Sequence, residues 1–182
     1  MIPMAISQSQ TLIFTYGTLK RGFPNHSLLQ DLMLTNDASF IGVYRTVRRL
    51  PLVRGPHGVP FLLNLPDADH HLICGELYSV SDRGLDRIDE LEGISIGHYE
   101  RHQIEIRPEI DPAGEVLEAE AYFAHRSFET AMWKRNGSEG LEGYTEEEAK
   151  GYVKRNLRPK DRTFLEDIQL FVSSSMISGE SS

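Results

Sequence analysis

Short runs of apolar residues recur along the first two thirds of the chain, and turn-forming residues separate them. The first run, T-L-I-F-T-Y at residues 11–16, is apolar on both faces, which is typical of a strand inside a sheet. Clusters of Pro, Gly and Asp such as Asp111-Pro112-Ala113-Gly114 mark the turns. The pattern predicts strands at residues 11–16, 39–44, 59–65, 72–80, 99–107 and 115–125. A sheet built from these strands is expected to close or to curl strongly.

Apolar residues spaced three and four positions apart predict three helices in the parts of the chain that the strands leave free. The first is expected at residues 26–34, with Asn25 as its cap. A capping box that Thr145 opens with Glu148 predicts a second helix at 146–157. Arg158-Pro159 separates it from a last helix at 162–172, R-T-F-L-E-D-I-Q-L-F-V, which has one apolar face.

A further short helix is predicted between Ser81, a typical N-cap, and Gly93, which can end a helix in the left-handed conformation. At about 100° per residue, Leu85, Ile88 and Glu92 project from the same face. Burial and the negative end of the helix both disfavour a charged carboxylate there. The pKa of Glu92 is therefore predicted to rise from about 4.3 toward neutrality. The alternative is a surface carboxylate at a frayed helix end, paired with a Lys or Arg.

Length and composition predict one domain. The chain has 182 residues, of which 40% are hydrophobic and 25% charged, and it shows no run of the roughly 20 apolar residues that a bilayer span needs. We expect a loose N-terminus at 1–10, one domain at 11–172 that includes the C-terminal helices, and a disordered Ser-rich tail at 173–182. The first ten residues lack the pattern of a secretion signal, so we expect a cytoplasmic protein without membrane contact.

Charge and histidine spacing argue against two classes of site. A formal net charge of −8 opposes binding to nucleic acid, which depends on Lys and Arg neutralising phosphates. The seven histidines show no convincing ligand spacing, and the adjacent His70 and His71 would point to opposite sides of a strand. The sequence therefore predicts no metal site.

The segment F-T-Y-G-T-L-K-R-G-F-P-N-H at residues 14–26 carries the first candidate chemistry. Gly17 and Gly22 have the spacing of a phosphate loop, but Phe23 and Pro24 stand where that loop needs Lys and a hydroxyl. A glycine directly after a strand still lets the chain turn sharply and can leave N–H groups free for a ligand oxygen. Residues 16–19 are thus a candidate cradle for an anion or oxyanion. A glycine needed only for a tight turn is the alternative.

The same segment resembles the signature Y-G-T-L-K-R-G-x-P-N-H of the gamma-glutamylaminecyclotransferases, within the gamma-glutamylcyclotransferase superfamily that includes plant AIG2-like proteins. The resemblance extends over roughly residues 11–126 through further matches in the same order. These matches are P-L-V at 51–53, P-F-L-L-N-L-P at 60–66, G-E-L-Y at 75–78, D-E-L-E-G at 89–93 and Y-E-R at 99–101.

The resemblance implies an α+β fold, a small mixed β-barrel of about six strands flanked by helices. It implies Glu92 as the catalytic carboxylate and a substrate-binding loop of Tyr16, Gly17, Thr18 and Leu19 that acts largely through its backbone. Tyr99, like Tyr16, is expected to form a pocket wall that binds substrate; the alternative for both is a core aromatic residue. No metal or organic cofactor is implied.

The reaction implied by the resemblance is an intramolecular aminolysis. The α-amine of a γ-glutamyl group attacks its own γ-carbonyl, which closes 5-oxoproline and releases an amine or amino acid. Glu92 would move the protons, and the loop amides would face either the γ-carbonyl oxygen or the α-carboxylate. The partner is therefore a small γ-glutamyl molecule, and we expect a monomer, with a dimer as the alternative.

Two other functions stay open from the sequence. One is an amide hydrolase or acyl transferase that uses the same pocket, and the other is a non-catalytic sensor of γ-glutamyl metabolites. The region from residue 127 onward has no counterpart in the resemblance. We expect it to complete the core; covering the site or forming a dimer are the alternatives.

Overall fold

The computed structural model of the chain describes residues 9–68 and 70–174. The predicted loose terminus at 1–10 and tail at 173–182 lie outside the described residues, apart from two residues at each inner end. Gln10 already belongs to the first strand and Ser173 to the last helix. The regular structure therefore extends one residue beyond each end of the predicted 11–172 unit.

Within the described residues, the chain forms seven strands and five α-helices. The strands are β1 (Gln10–Thr15), β2 (Ala38–Leu50), β3 (Leu52–Arg54), β4 (Pro60–Leu62), β5 (His71–Ser81), β6 (Tyr99–Pro108) and β7 (Leu117–Ala124). The helices are α1 (His26–Leu34), α2 (Asp82–Leu91), α3 (Glu129–Arg135), α4 (Glu146–Ala149) and α5 (Phe164–Ser173).

Five strands close into a barrel in the order β1-β5-β2-β6-β7, and β7 returns to β1. The closing contact is parallel and pairs Ile13 with Glu120, whereas the other four pairs of barrel strands are antiparallel. The β3–β4 hairpin joins the far part of β7, where Leu62 pairs with Phe123. The mixed barrel flanked by helices is confirmed, and β1 lies inside the sheet as its apolar pattern predicts.

Two buried clusters lie on opposite faces of the barrel wall, because neighbouring strand residues point to opposite sides. Phe14 belongs to a cluster contributed by the strands, with Leu77 and Phe123. Ile13 belongs to the other cluster, which also takes up helix residues such as Ile88 and Ile168. One cluster therefore fills the barrel, and the other holds the helices against its outer face.

Some predicted elements differ from those observed. The 59–65 strand is only Pro60–Leu62, and its partner β3 was not predicted, nor was α3. The helix expected at 146–157 stops after Ala149, because the chain turns at Gly151 and Val153 donates its N–H to the His57 carbonyl at 2.8 Å. Asn25 precedes α1 without capping it through its side chain.

Among the residues that the structure describes, none of the helices has both the length and the apolar character needed to cross a bilayer.

Candidate active site

Helix α2 presents Glu92 at its C-terminal end, and both ends of the helix are fixed by the residues predicted for them. The Ser81 hydroxyl accepts a hydrogen bond from the Gly84 N–H at 3.0 Å. Gly93 follows Glu92 with a φ of 64°, and a side chain there would also collide with the His98 ring. Glu92 itself has helical backbone angles, and its N–H donates to the Ile88 carbonyl at 2.9 Å. The position of its side chain is thus set by an ordered helix end rather than a frayed one.

The Glu92 carboxyl lines a cleft in which its ionised form is disfavoured. Burial raises the pKa of Glu92 to about 7, against an opposing effect of Arg155 and with a smaller contribution from Asp89. The residue is partly accessible, so a molecule entering the cleft can reach it. A carboxyl group of this kind is present in both protonation states near neutral pH, as proton transfer in both directions requires.

The loop at residues 16–19 borders the same cleft. Among the described residues, the N–H groups of Gly17, Thr18 and Leu19 donate to no protein acceptor. Their carbonyl groups are instead engaged: those of Gly17 and Thr18 accept from the N–H groups of Lys20 and Asn25, and the ring Nδ1 of His26 lies 2.8 Å from the Leu19 carbonyl. The loop is held by its acceptors, and its donors are left for a ligand.

Gly17 is required by a close approach rather than by an unusual backbone conformation. A Cβ at this position would lie 2.6 Å from the Cγ of Pro60, which lines the cleft as well. The loop can therefore sit against the β4 strand only without a side chain at residue 17.

Tyr16 and Tyr99 are buried in the walls of the cleft, and their hydroxyl groups are already bonded to the protein. The Tyr16 hydroxyl donates to the Tyr122 carbonyl at 2.5 Å and accepts from the Leu62 N–H at 3.2 Å. The Tyr99 hydroxyl donates to the Pro60 carbonyl at 2.7 Å. These two tyrosines consequently contribute aromatic surface to the cleft and lock β4 against β1 and β6.

A polar group that the sequence did not single out supports the floor of the cleft. Tyr122 lines the cleft, and its hydroxyl donates to Asp89 at 2.6 Å. The same carboxylate accepts from the Arg101 guanidinium at 2.6 and 2.5 Å. Asp89 on α2 is therefore bonded to two barrel strands, through Arg101 on β6 and Tyr122 on β7. Asp89 and Arg101 belong to the motifs D-E-L-E-G and Y-E-R, and these motifs could have identified them from the sequence.

A second cavity adjoins the cleft and shares Thr18, Glu92 and Tyr99 with it. Much of its remaining wall comes from the segment after residue 150, which the sequence analysis expected to complete the core, with covering the site as an alternative. The residues in question are Tyr152, Arg155, Arg158 and Phe164. The C-terminal region therefore borders the site as well as supplying core residues such as Ile168.

The structure thus brings together all the site residues predicted from the sequence: Tyr16, Gly17, Thr18, Leu19, Glu92 and Tyr99. Their roles in binding and catalysis stay predictions. Within residues 9–68 and 70–174, no group of three or more His, Cys, Asp or Glu side chains is arranged to hold a metal ion.

Comparisons with known proteins agree on one family. The model of the family described as "Gamma-glutamyl cyclotransferase, AIG2-like" matches residues 13–143. A putative gamma-glutamylcyclotransferase of Arabidopsis thaliana is 55% identical over 174 residues, covering 90% of this chain and 92% of the relative. The human gamma-glutamylaminecyclotransferase is 45% identical over 82 residues, which cover 44% of this chain and 52% of the human protein.

The fold has a solved counterpart. The crystal structure of an AIG2-like protein from Mus musculus superimposes with a TM-score of 0.64 at 28% identity, covering 85% of this chain and 99% of the mouse chain. The family model ends at residue 143, so Arg155 and Arg158 lie beyond the part of the chain that it describes.

Proposed function

The chain belongs to the gamma-glutamyl cyclotransferase, AIG2-like family, and from this premise we propose that it releases 5-oxoproline from a γ-glutamyl amine or peptide, with Glu92 as the proton-transferring group. The observation that carries the proposal is the position of Glu92 on one cleft with three free loop amides. The arrangement combines a base of suitable pKa with donors for a glutamyl oxygen, and that pair is what an intramolecular aminolysis needs.

The first step is removal of a proton. An α-ammonium group has no lone pair, so the Glu92 carboxylate takes one of its protons. The resulting amine nitrogen then attacks the γ-carbonyl carbon of the same molecule and closes a five-membered ring. Because the nucleophile is tethered to the carbonyl, the protein has to orient one molecule rather than collect two.

The second step returns the proton. Attack on the carbonyl produces a tetrahedral intermediate with a negative oxygen. The free N–H groups of Gly17, Thr18 and Leu19 are suited to a glutamyl oxygen, either this one or those of the α-carboxylate. Glu92, now protonated, gives its proton to the leaving nitrogen as the carbon–nitrogen bond breaks. The ring nitrogen still carries one proton more than the product lactam, and the Glu92 carboxylate relays that proton to the released amine, which leaves as an ammonium ion. 5-Oxoproline and the amine or amino acid leave, and the carboxylate is restored.

We further propose that the partner is a small γ-glutamyl molecule. We also propose that the protein acts as a monomer in the cytoplasm, without contact to nucleic acid or membrane.

The proposal is tested by following 5-oxoproline formation from γ-glutamyl-alanine, glutathione and γ-glutamyl-ε-lysine. Turnover of at least one is expected for the wild-type protein. Free glutamate in place of 5-oxoproline would indicate a hydrolase, and binding without turnover would indicate a sensor. Either result would overturn the cyclotransferase assignment.

The Glu92→Gln variant tests the role of the carboxylate. It keeps the shape of the side chain and removes the base, so kcat is expected to fall about 100-fold or more. Glu90→Gln, at an exposed carboxylate of the same helix end, is the matched control and is expected to stay within about twofold of wild type. Full activity in a folded Glu92→Gln protein would refute the assignment.

A further inference from the structure

The cavity next to the cleft, which we call the basic cavity, has the character of an anion-binding site. Two guanidinium groups, those of Arg155 and Arg158, line it together with the Asn25 side chain and the Tyr152 ring. It adjoins the cleft, because Thr18, Glu92 and Tyr99 line both.

In the described part of the chain neither arginine forms an ion pair with a carboxylate, although the charge of Arg155 acts on the Glu92 carboxyl from within the same cavity. Arg155 donates from Nη2 to the Leu91 carbonyl at 2.9 Å, and Arg158 donates from Nε to the Val153 carbonyl at 2.9 Å. Each guanidinium carries five N–H donors, so both keep donors for a ligand. Their acceptors are neutral carbonyl groups rather than anions.

Burying the Arg158 guanidinium without an anionic partner is unfavourable in free energy. It is partly buried, and its guanidinium packs against the rings of Tyr152 and Phe164 at 5.4 and 5.0 Å. Burial, together with the neighbouring charge of Arg155, lowers the pKa of Arg158, although the hydroxyls of Tyr152 and Tyr99 oppose the shift. A partly desolvated cation of this kind is favourable where an anionic ligand completes it.

The chemistry of the proposed reaction says which part of a substrate reaches this cavity. Glu92 has to contact the α-amine of the glutamyl group and later the leaving nitrogen. A glutamyl group held by the loop amides occupies the cleft, so the leaving group extends past Glu92 into the space that adjoins it. That space is the basic cavity.

We propose that the basic cavity is the leaving-group subsite, and that Arg155 and Arg158 select substrates whose leaving group carries a carboxylate, namely γ-glutamyl amino acids and peptides. This inference rests on the proposed cyclotransferase function and names its substrate class. The selection is local, because the protein as a whole has a formal net charge of −8 and would not attract anions.

A pair of substrates that differ only in this carboxylate tests the proposal. γ-Glutamyl-alanine and γ-glutamyl-alaninamide share the glutamyl group, the scissile bond and the side chain. The wild-type kcat/KM is expected to be about tenfold or more higher for the acid, mainly through a lower KM. Equal kcat/KM values with clear 5-oxoproline release from both would overturn the subsite and leave the cyclotransferase function intact. Absence of 5-oxoproline from both would overturn the function, and the subsite with it.

Substitution of the arginines supplies the second measurement. In the Arg155→Met/Arg158→Met double variant, the ratio of the two kcat/KM values is expected to fall toward one. Arg83→Met removes one positive charge at the opposite end of α2, where Arg83 is exposed, and is expected to keep the wild-type ratio. Loss of preference in both variants would point to net charge rather than to the cavity and would overturn the proposal. The substrate pair on the wild-type protein decides the matter even where the double variant does not fold.

Discussion

Glu92 shows how much of a site can be inferred from the spacing of a few residues. The helical pattern placed it on the buried face with Ile88 and predicted a raised pKa, and the structure gives about 7 with burial as the main cause. The pattern could not reveal the opposing effect of Arg155, because 63 residues separate the two positions and only the folded chain brings them together.

A carboxyl group with this pKa should also make the free energy of unfolding depend on pH. Its folded-state pKa lies above the unfolded value of about 4.3. Its contribution to the free energy of unfolding is therefore fully present at low pH and is lost as pH rises through about 7. The Glu92→Gln variant cannot ionise and does not lose this stability. We expect the variant to be more stable than wild type above pH 8, by at most about 4 kcal/mol at about 1.4 kcal/mol per pKa unit, and to approach it near pH 4.

The measurement is urea unfolding of wild type, Glu92→Gln and Glu90→Gln between pH 4 and pH 8.5. The last variant reports the effect of removing a negative charge from the same helix end. A stability difference between the two variants that does not change with pH would contradict the buried, neutral carboxyl at Glu92.

At the scale of elements, the loop after β1 depends on a contact that the sequence does not display. The sequence analysis attributed the glycine after the strand to a sharp turn of the chain. It did not identify Pro60 as the neighbour that excludes a side chain at Gly17. The hairpin β3–β4 that carries Pro60 has three-residue strands, too short for an alternating pattern to be recognised.

Gly17→Ala is therefore expected to move the loop away from Pro60 and to lower kcat/KM about tenfold or more, since the amides would lose their alignment. In the Gly17→Ala/Pro60→Ala double variant the Cγ is absent and the remaining contact, to Cβ at 3.5 Å, is ordinary. Activity is expected to recover in part. Steady-state kinetics of the complete cycle measure this coupling.

Gly143→Ala is the control for this cycle, because nothing lies within 4 Å of a Cβ at that position. Independent effects of the Gly17 and Pro60 substitutions, with no recovery in the double variant, would show that the contact does not set the loop.

The predicted residues at helix ends were confirmed at three positions and wrong at one, where a long-range hydrogen bond competes with the local one. Ser81, Gly93 and Thr145 have the roles expected from local chemistry. Asn25 does not, because its side chain donates instead to the hydroxyls of Thr18 and Tyr152 at 2.9 and 3.1 Å. A long-range partner from the C-terminal segment thus replaced the local hydrogen bond.

At the scale of the whole molecule, the turn at residues 56–58 holds the C-terminal region against the site. The His57 carbonyl accepts from the Val153 N–H, and its ring Nε2 lies 2.8 Å from the Asp167 carboxylate on α5. Asp167 is buried and also accepts from Arg162 at 2.9 Å. Burial alone would raise the pKa of Asp167, but the bonds from His57 and Arg162 outweigh it and leave the pKa lowered.

We expect Asp167→Asn to destabilise the protein by about 1–3 kcal/mol, because buried donors lose a charged acceptor. Hydrogen exchange of the α5 amides should become faster, and the pH dependence below about pH 4 should weaken. The exposed Asp161→Asn serves as the control. Unchanged unfolding midpoints and unchanged α5 exchange in Asp167→Asn would show that this ion pair does not hold the region.

The loop amides carry a consequence for inhibitors and resistance. A compound that imitates the glutamyl oxygens would be anchored by main-chain N–H groups, which every amino acid except proline supplies. Point mutations at Thr18 or Leu19 to residues other than proline would leave that anchor in place. Escape would require a new path of the chain between β1 and α1, and the same change would impair the natural reaction.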